Sequence, residues 1–334
     1  MNHNELEQKV QRWANEFAAA GDHDSRDQIK KTLHQLNFLE QKLYCRYEPS
    51  RPPNSGYPQR LAAWLKNLAD ESDQRAALRI AATLFYIGYA ELAALHRAAF
   101  NDPIRSWLIK CNKLSFRDPT IEEKLNDAVN RTWFCPITDS MKINEFMHLN
   151  DIQNQVDLRT DWQGLAKLGS KTEINNYITA HGLTHIVLLE DFIATGTQAS
   201  KAIDFAANIR PSNPIPILVV PLILCPAAKK IFEGSGFPNH VTIHPALQLH
   251  SEDFISAVPA ENSEEYNLIL DLATRSYPKV SGGIVPGRKP YGPLGFEDTG
   301  SLVVLNSNTP DNTLPMVHWK SKSWVPLFPR HSRV

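Results

Sequence analysis

The apolar positions of the chain follow two different patterns, and the change falls near residue 130. In LEQKVQRWANEFAAA, Val10, Trp13, Phe17 and Ala20 recur at helical spacing, and Ile29, Leu33, Leu36, Leu39 and Leu43 repeat it over residues 27–47. The proline-rich stretch EPSRPPNSGYP then marks a loop. Helical spacing resumes over residues 59–68 and 74–100. The latter holds RIAATLFYIGYAELAALHRAAF, apolar almost all round, which predicts the central helix of a bundle.

From residue 132 onward the apolar residues come in short runs: TWFCPI, HIVLLE, IPILVVPLIL and, more weakly, HVTIHPALQL. Between them lie the helix-like segments MKINEFMHL, EINNYITAHG and ASKAIDFAANI. Short apolar strands alternating with helices predict an α/β fold, a parallel sheet wrapped by helices. Pro221 cannot donate to a ladder, so the third run is expected at an edge or at an irregularity. The expected organisation is an all-α helical domain over residues 1–125 and an α/β core with a loop-rich C-terminal extension over residues 126–334.

Composition narrows the classes. The 334 residues leave room for two domains. Lys plus Arg (35) almost balances Asp plus Glu (36), so no global field favours nucleic acid. The cysteines, Cys45, Cys111, Cys135 and Cys225, form no C-x-x-C pair and read as small buried residues in a reducing setting. MNHNELEQKVQRW lacks the apolar core of a signal peptide, and no run approaches the ~18 apolar residues of a membrane span. A cytoplasmic protein with no membrane partner is expected.

The candidate chemistry sits in HIVLLEDFIATGTQAS. Two adjacent acids, Glu190 and Asp191, directly follow a dry apolar run, although charge beside a core costs solvation energy. In an open parallel sheet that position opens on the ligand crevice at the strand ends. Behind the acids, Ala194 to Gln198 leads into a helix whose first N–H groups favour an anion. Gly196 allows close backbone approach, and Thr195 and Thr197 add hydroxyl donors. Acceptors for sugar hydroxyls beside donors for phosphate are what a ribose 5-phosphate needs.

LLEDFIATGT resembles the phosphoribosyl-diphosphate (PRPP) motif of type I phosphoribosyltransferases. The resemblance implies that Glu190 and Asp191 hold the ribose hydroxyls, directly or through Mg²⁺, and act in catalysis. It also implies that Ala194, Thr195, Gly196, Thr197 and Gln198 wrap the 5-phosphate. Two positions depart from the family: many purine-salvage members carry a further acid where Ala194 stands, and often a threonine where Gln198 stands. Such an enzyme also needs a pyrophosphate site after the first strand, and PITDSM offers Thr138, Asp139 and Ser140 there. Asp139 and Ser140 serve equally as a plain helix N-cap. Lys229 and Lys230 follow the third strand near the same rim. Residues 151–183 show no hairpin of the kind that ordinarily closes over the reaction.

The tail, LGFEDTGSLVVLNSNTPDNTLPMVHW, completes a second resemblance. With the helical front and the core, it is similar to a phosphoribosyltransferase-like family of bacterial conflict systems, with members in anti-phage defence and some beside retron reverse transcriptases. The resemblance implies a PRPP-dependent effector and a protein or retron nucleoprotein partner, met through the helical half. Trp319 and Trp324 are expected as core anchors. NTPDNTLP is expected to supply the missing lid, with Thr309, Asn312 and Thr313 donating at the mouth of the site. The alternative to an enzyme is a non-catalytic PRPP or nucleotide sensor.

Overall fold

The computed structural model describes residues 3–50, 56–152, 171–282 and 291–331. Among them the strands are β1 (Phe85–Ile87), β2 (Thr132–Pro136), β3 (His185–Ile193), β4 (Ile217–Leu224), β5 (Val241–Ile243), β6 (Leu247–Gln248), β7 (Tyr291–Gly292), β8 (Gly295–Phe296) and β9 (Val303–Leu305). A helical N-terminus precedes a parallel five-stranded sheet with flanking helices, so the fold is α/β.

Two compact units emerge, and they do not follow the expected boundary at residue 125. One joins Met1–Tyr89 to Glu252–Val334; the other is Ala90–Ser251. The reason lies in the stretch expected to be one central helix over residues 74–100. It is broken: helix Glu71–Thr83 ends, β1 follows, and helix Tyr89–Ala99 begins anew. The aromatic and β-branched residues of β1 pair in parallel with β9, Phe85 to Val303 and Ile87 to Leu305. That pairing ties the tail to the helical front.

The first unit buries Trp13, Trp64, Leu65, Leu78 and Ile80 from the front with Val304, Leu314, Val317, Trp324 and Phe328 from the tail. The indoles of Trp64 and Trp324 both donate to the Met316 carbonyl, at 2.7 and 2.9 Å. Trp324 is thus an anchor as expected, while Trp319 is half-buried and packs against the cluster.

In the second unit the strand order is β2-β3-β4-β5, with β6 also on β4, all parallel. Helices Lys171–Ala180, Thr197–Ala207 and Pro226–Gly234 cover one face through Ile174, Ile178, Ile203 and Ala228. Against the other face, Phe134 of β2 meets Phe146 of helix Ile143–Leu149 at a ring separation of 5.9 Å. Pro221 does not lie on an edge strand, since β4 has neighbours on both sides. It sits where the neighbouring strand is interrupted between β5 and β6, and its carbonyl accepts from Ala246 N–H at 2.9 Å. The missing donor faces that gap, so the ladder loses nothing there. Of the four cysteines, Cys135 and Cys225 are buried, whereas Cys45 and Cys111 are exposed, and all are free thiols.

Candidate functional site

The site grows from a difference in strand length. β2 stops at Pro136, opposite Leu189, and Ile137 N–H makes one more bond to the Leu189 carbonyl at 2.8 Å. β3 continues, because β4 runs on beside it and pairs Phe192 with Ile223 and Ile193 with Leu224. Glu190 and Asp191 therefore lie inside the strand and not behind its end, which corrects the expectation from the sequence. Apolar partners on β4 carry the strand past the charged pair, while the chain after β2 turns across the acids.

That turn is residues 138–140. Thr138 N–H donates to Glu190 Oε2 at 2.8 Å, and the Thr138 hydroxyl donates to Oε1. Ser140 Oγ lies 3.1 Å from Glu190 Oε1, 2.9 Å from Asp191 Oδ1 and 2.6 Å from Thr138 Oγ1. Glu190 is only 5% exposed; Asp191 is half-buried. Burial, and then the Asp191 charge beside it, push the Glu190 carboxyl well above the usual carboxylate range, against the donors of Thr138 and Ser140. The donors limit the cost of a carboxylate so far from water but do not remove it.

The helix after the turn starts at Ile143 with Lys142 as its N-cap, so Asp139 and Ser140 do not cap it. Of the two readings of PITDSM, the capping one is thereby closed. Asp139 itself is exposed.

On the far side of the acids, Ala194 is held by its carbonyl, which accepts from Ala228 N–H at 3.2 Å. Gly196 then turns with φ +77°, at the N-cap of helix Thr197–Ala207. A Cβ there would meet Phe232 at 3.2 Å and Ala228 at 3.3 Å, so conformation and packing both demand glycine. Thr195 is half-buried, and Thr197 and Gln198 are exposed on the first turn of the helix. Lys229, on the neighbouring helix, lies 3.9 Å from Glu233 of that same helix.

The structure thus brings together Thr138, Ser140, Glu190 and Asp191. The residues at 194–198 directly follow β3 and open a helix N-terminus. Asn312 belongs to the other unit. Its side chain is fully buried, and neither its amide oxygen nor its amide nitrogen has a partner among the described residues. The Thr309 hydroxyl contacts Tyr47 Oη at 2.8 Å, and the Thr313 hydroxyl donates to the Val303 carbonyl at 2.5 Å. Of residues 151–183, in which no hairpin is expected, 153–170 lie outside the described residues, and Lys171–Ala180 is a helix. What sequence reasoning missed is the grip of the turn on Glu190. The partners stand 52 residues apart, and nothing local signals the contact.

A model of the PRTase-CE family, phosphoribosyltransferases of conflict systems, matches residues 61–330, and the chain belongs to that family. No curated protein matches the chain, and no solved structure does. Phosphoribosyltransferases typically use Mg²⁺. Among the described residues no group of three or more His, Cys, Asp or Glu side chains could hold a metal. Mg²⁺ asks for less, since it is commonly held by one or two carboxylates together with waters and substrate phosphates. The adjacent oxygen donors of Glu190 and Asp191 fit that donor set. No helix is long and apolar enough to cross a membrane.

Proposed function

We propose that this site binds PRPP with Mg²⁺ and transfers or hydrolyses its phosphoribosyl group, as an effector of bacterial anti-phage defence. The observation that carries the reading is the succession along one strand: a carboxylate pair under a hydroxyl turn, then a glycine corner opening a helix N-terminus. Asp191, the more exposed acid, accepts from the ribose hydroxyls and stabilises positive charge developing on the sugar. The backbone N–H groups from Thr195 to Gln198, with the Thr195 and Thr197 hydroxyls, receive the 5-phosphate. The donors of Thr138, Asp139 and Ser140 border the pyrophosphate. Bound Mg²⁺ would neutralise charge on that leaving group, held from the carboxylate side by Glu190 and Asp191. In the reaction the bond from the anomeric carbon to pyrophosphate breaks, and a bond to the acceptor, or to water, forms. The family's place in conflict systems supports a protein or retron nucleoprotein partner at the helical front, in the cytoplasm.

A second reading, a PRPP sensor without turnover, is favoured by one observation. Both Glu190 oxygens are already engaged by Thr138 and Ser140, so Glu190 is committed before any ligand arrives. Two measurements separate the readings. PRPP with Mg²⁺ should raise the melting temperature, since a ligand that binds only the native state stabilises it. Asp191→Asn should keep the fold and lose that shift. Pyrophosphate release from PRPP then marks the enzyme, and binding without release marks the sensor. A wild-type protein whose melting temperature ignores millimolar PRPP would sink both.

A further inference from the structure

The two acids of the pair stand in unlike surroundings. Glu190 is buried and takes a backbone N–H and a hydroxyl from Thr138 and a contact from Ser140. Asp191 is half-buried, and Ser140 Oγ lies nearer to it, at 2.9 Å, than to Glu190, at 3.1 Å. A hydroxyl has one proton to give, so Ser140 can donate to only one acid at a time. Thr138 already supplies Glu190 through two donors. Ser140 is therefore the group that can turn its proton to Asp191, and its backbone is tied to Thr138, whose Oγ1 accepts from Ser140 N–H at 3.4 Å.

We propose that Glu190 is a positioning residue and not a ligand of the sugar: its carboxyl group braces the 138–140 turn, and through Ser140 the brace orients Asp191, which alone meets the sugar. The inference rests on the PRPP reading of the site and divides the acid pair that the family motif treats as a unit. A carboxyl group that is 5% exposed and already accepts from Thr138 through both oxygens presents little surface to a sugar. The brace needs no such rearrangement. It also accounts for a carboxyl group in a strand interior, because the turn replaces part of the lost water with directed donors.

The two roles differ in how substitutions combine. If Glu190 acts through the turn, Thr138→Val and Glu190→Gln break the same device, and their effects on PRPP affinity do not add. The test is calorimetric titration of PRPP in magnesium buffer into the full-length wild type, Thr138→Val, Glu190→Gln, Asp191→Asn, and the doubles Thr138→Val/Glu190→Gln and Thr138→Val/Asp191→Asn. Glutamine keeps the size of the side chain, so the comparison survives even if Glu190→Ala fails to fold. Each single change should weaken PRPP by about tenfold. The Thr138→Val/Glu190→Gln double should stay within about twofold of Thr138→Val alone. With Asp191→Asn as the second change the losses should likewise fail to multiply, because the brace reaches the ligand only through Asp191. Thr138→Ser, which keeps the hydroxyl that Thr138→Val removes, should bind PRPP more tightly than Thr138→Val, whereas a role in packing alone would not be rescued by the hydroxyl.

If the wild type binds PRPP and the Thr138→Val/Glu190→Gln losses multiply, Glu190 touches the ligand directly, and the inference fails while the site reading stands. If the wild type binds no PRPP, the site reading fails and takes the inference with it.

Discussion

Gly196 shows at the scale of one residue how much the loop after β3 (His185–Ile193) depends on backbone freedom. Its φ of +77° lies where side chains are strained, and the space for a Cβ is already taken by Phe232 and Ala228. Gly196→Ala should therefore destabilise the protein by about 1–3 kcal/mol, read by urea unfolding, and weaken any phosphate site built on the loop. An unchanged stability would show that the loop relaxes freely. Asn312 poses the opposite case. Its amide is buried with no described partner, a condition that ordinarily costs stability. Asn312→Ala should thus leave the melting temperature within a few degrees of wild type, and if the residue serves a ligand, it should lower PRPP affinity. A large loss of stability would instead mean that Asn312 is a structural residue.

Among elements, the strands near the candidate site were legible because each is a short apolar run bounded by polar turns. Glu190 and Asp191 stood out because charge beside such a run needs a reason. What the sequence did not disclose is non-local. The break between helices Glu71–Thr83 and Tyr89–Ala99 sits in TLFYIGY, whose apolar residues satisfy a helix pattern as readily as a strand. Its strand partner, β9 (Val303–Leu305), lies more than two hundred residues on, so no local window could contain the evidence. Likewise, the extension of β3 past its acids is decided by the length of β4 (Ile217–Leu224), and not by β3 itself. The two-stranded pair makes its own prediction. Phe85 is 45% exposed, whereas Val304 is fully buried. Val304→Thr places a hydroxyl in the core and should cost about 1–3 kcal/mol in urea unfolding, while Phe85→Thr should stay within about 0.5 kcal/mol. The reverse order would contradict the orientation of the pair.

For the molecule as a whole, acid sensitivity is written into both units by buried neutral histidines. In one, His318 is 2% exposed, and its Nε2–H donates to the Thr313 carbonyl at 3.0 Å. Burial and then the Arg330 charge hold its pKa down at about 4. In the other, burial and then Arg131 hold His185 at about 4, and burial lowers His96. An imidazole whose folded pKa lies below its unfolded value near 6.5 takes up its proton more readily on unfolding. The stability it contributes is therefore fully present above about pH 6.5 and is lost as the pH falls toward 4. For His318 the loss is on the order of a few kcal/mol. Glu190 works in the opposite direction, since its raised folded pKa gains protons before the unfolded chain does. The total pH dependence mixes these signs, but a variant isolates one. His318→Gln keeps a donor for the Thr313 carbonyl and cannot titrate. Measured by urea unfolding between pH 7.5 and 5, it should lose stability with acidification less steeply than wild type, by up to one proton's worth of slope. Parallel curves for the two proteins would mean that His318 is not held neutral by the fold.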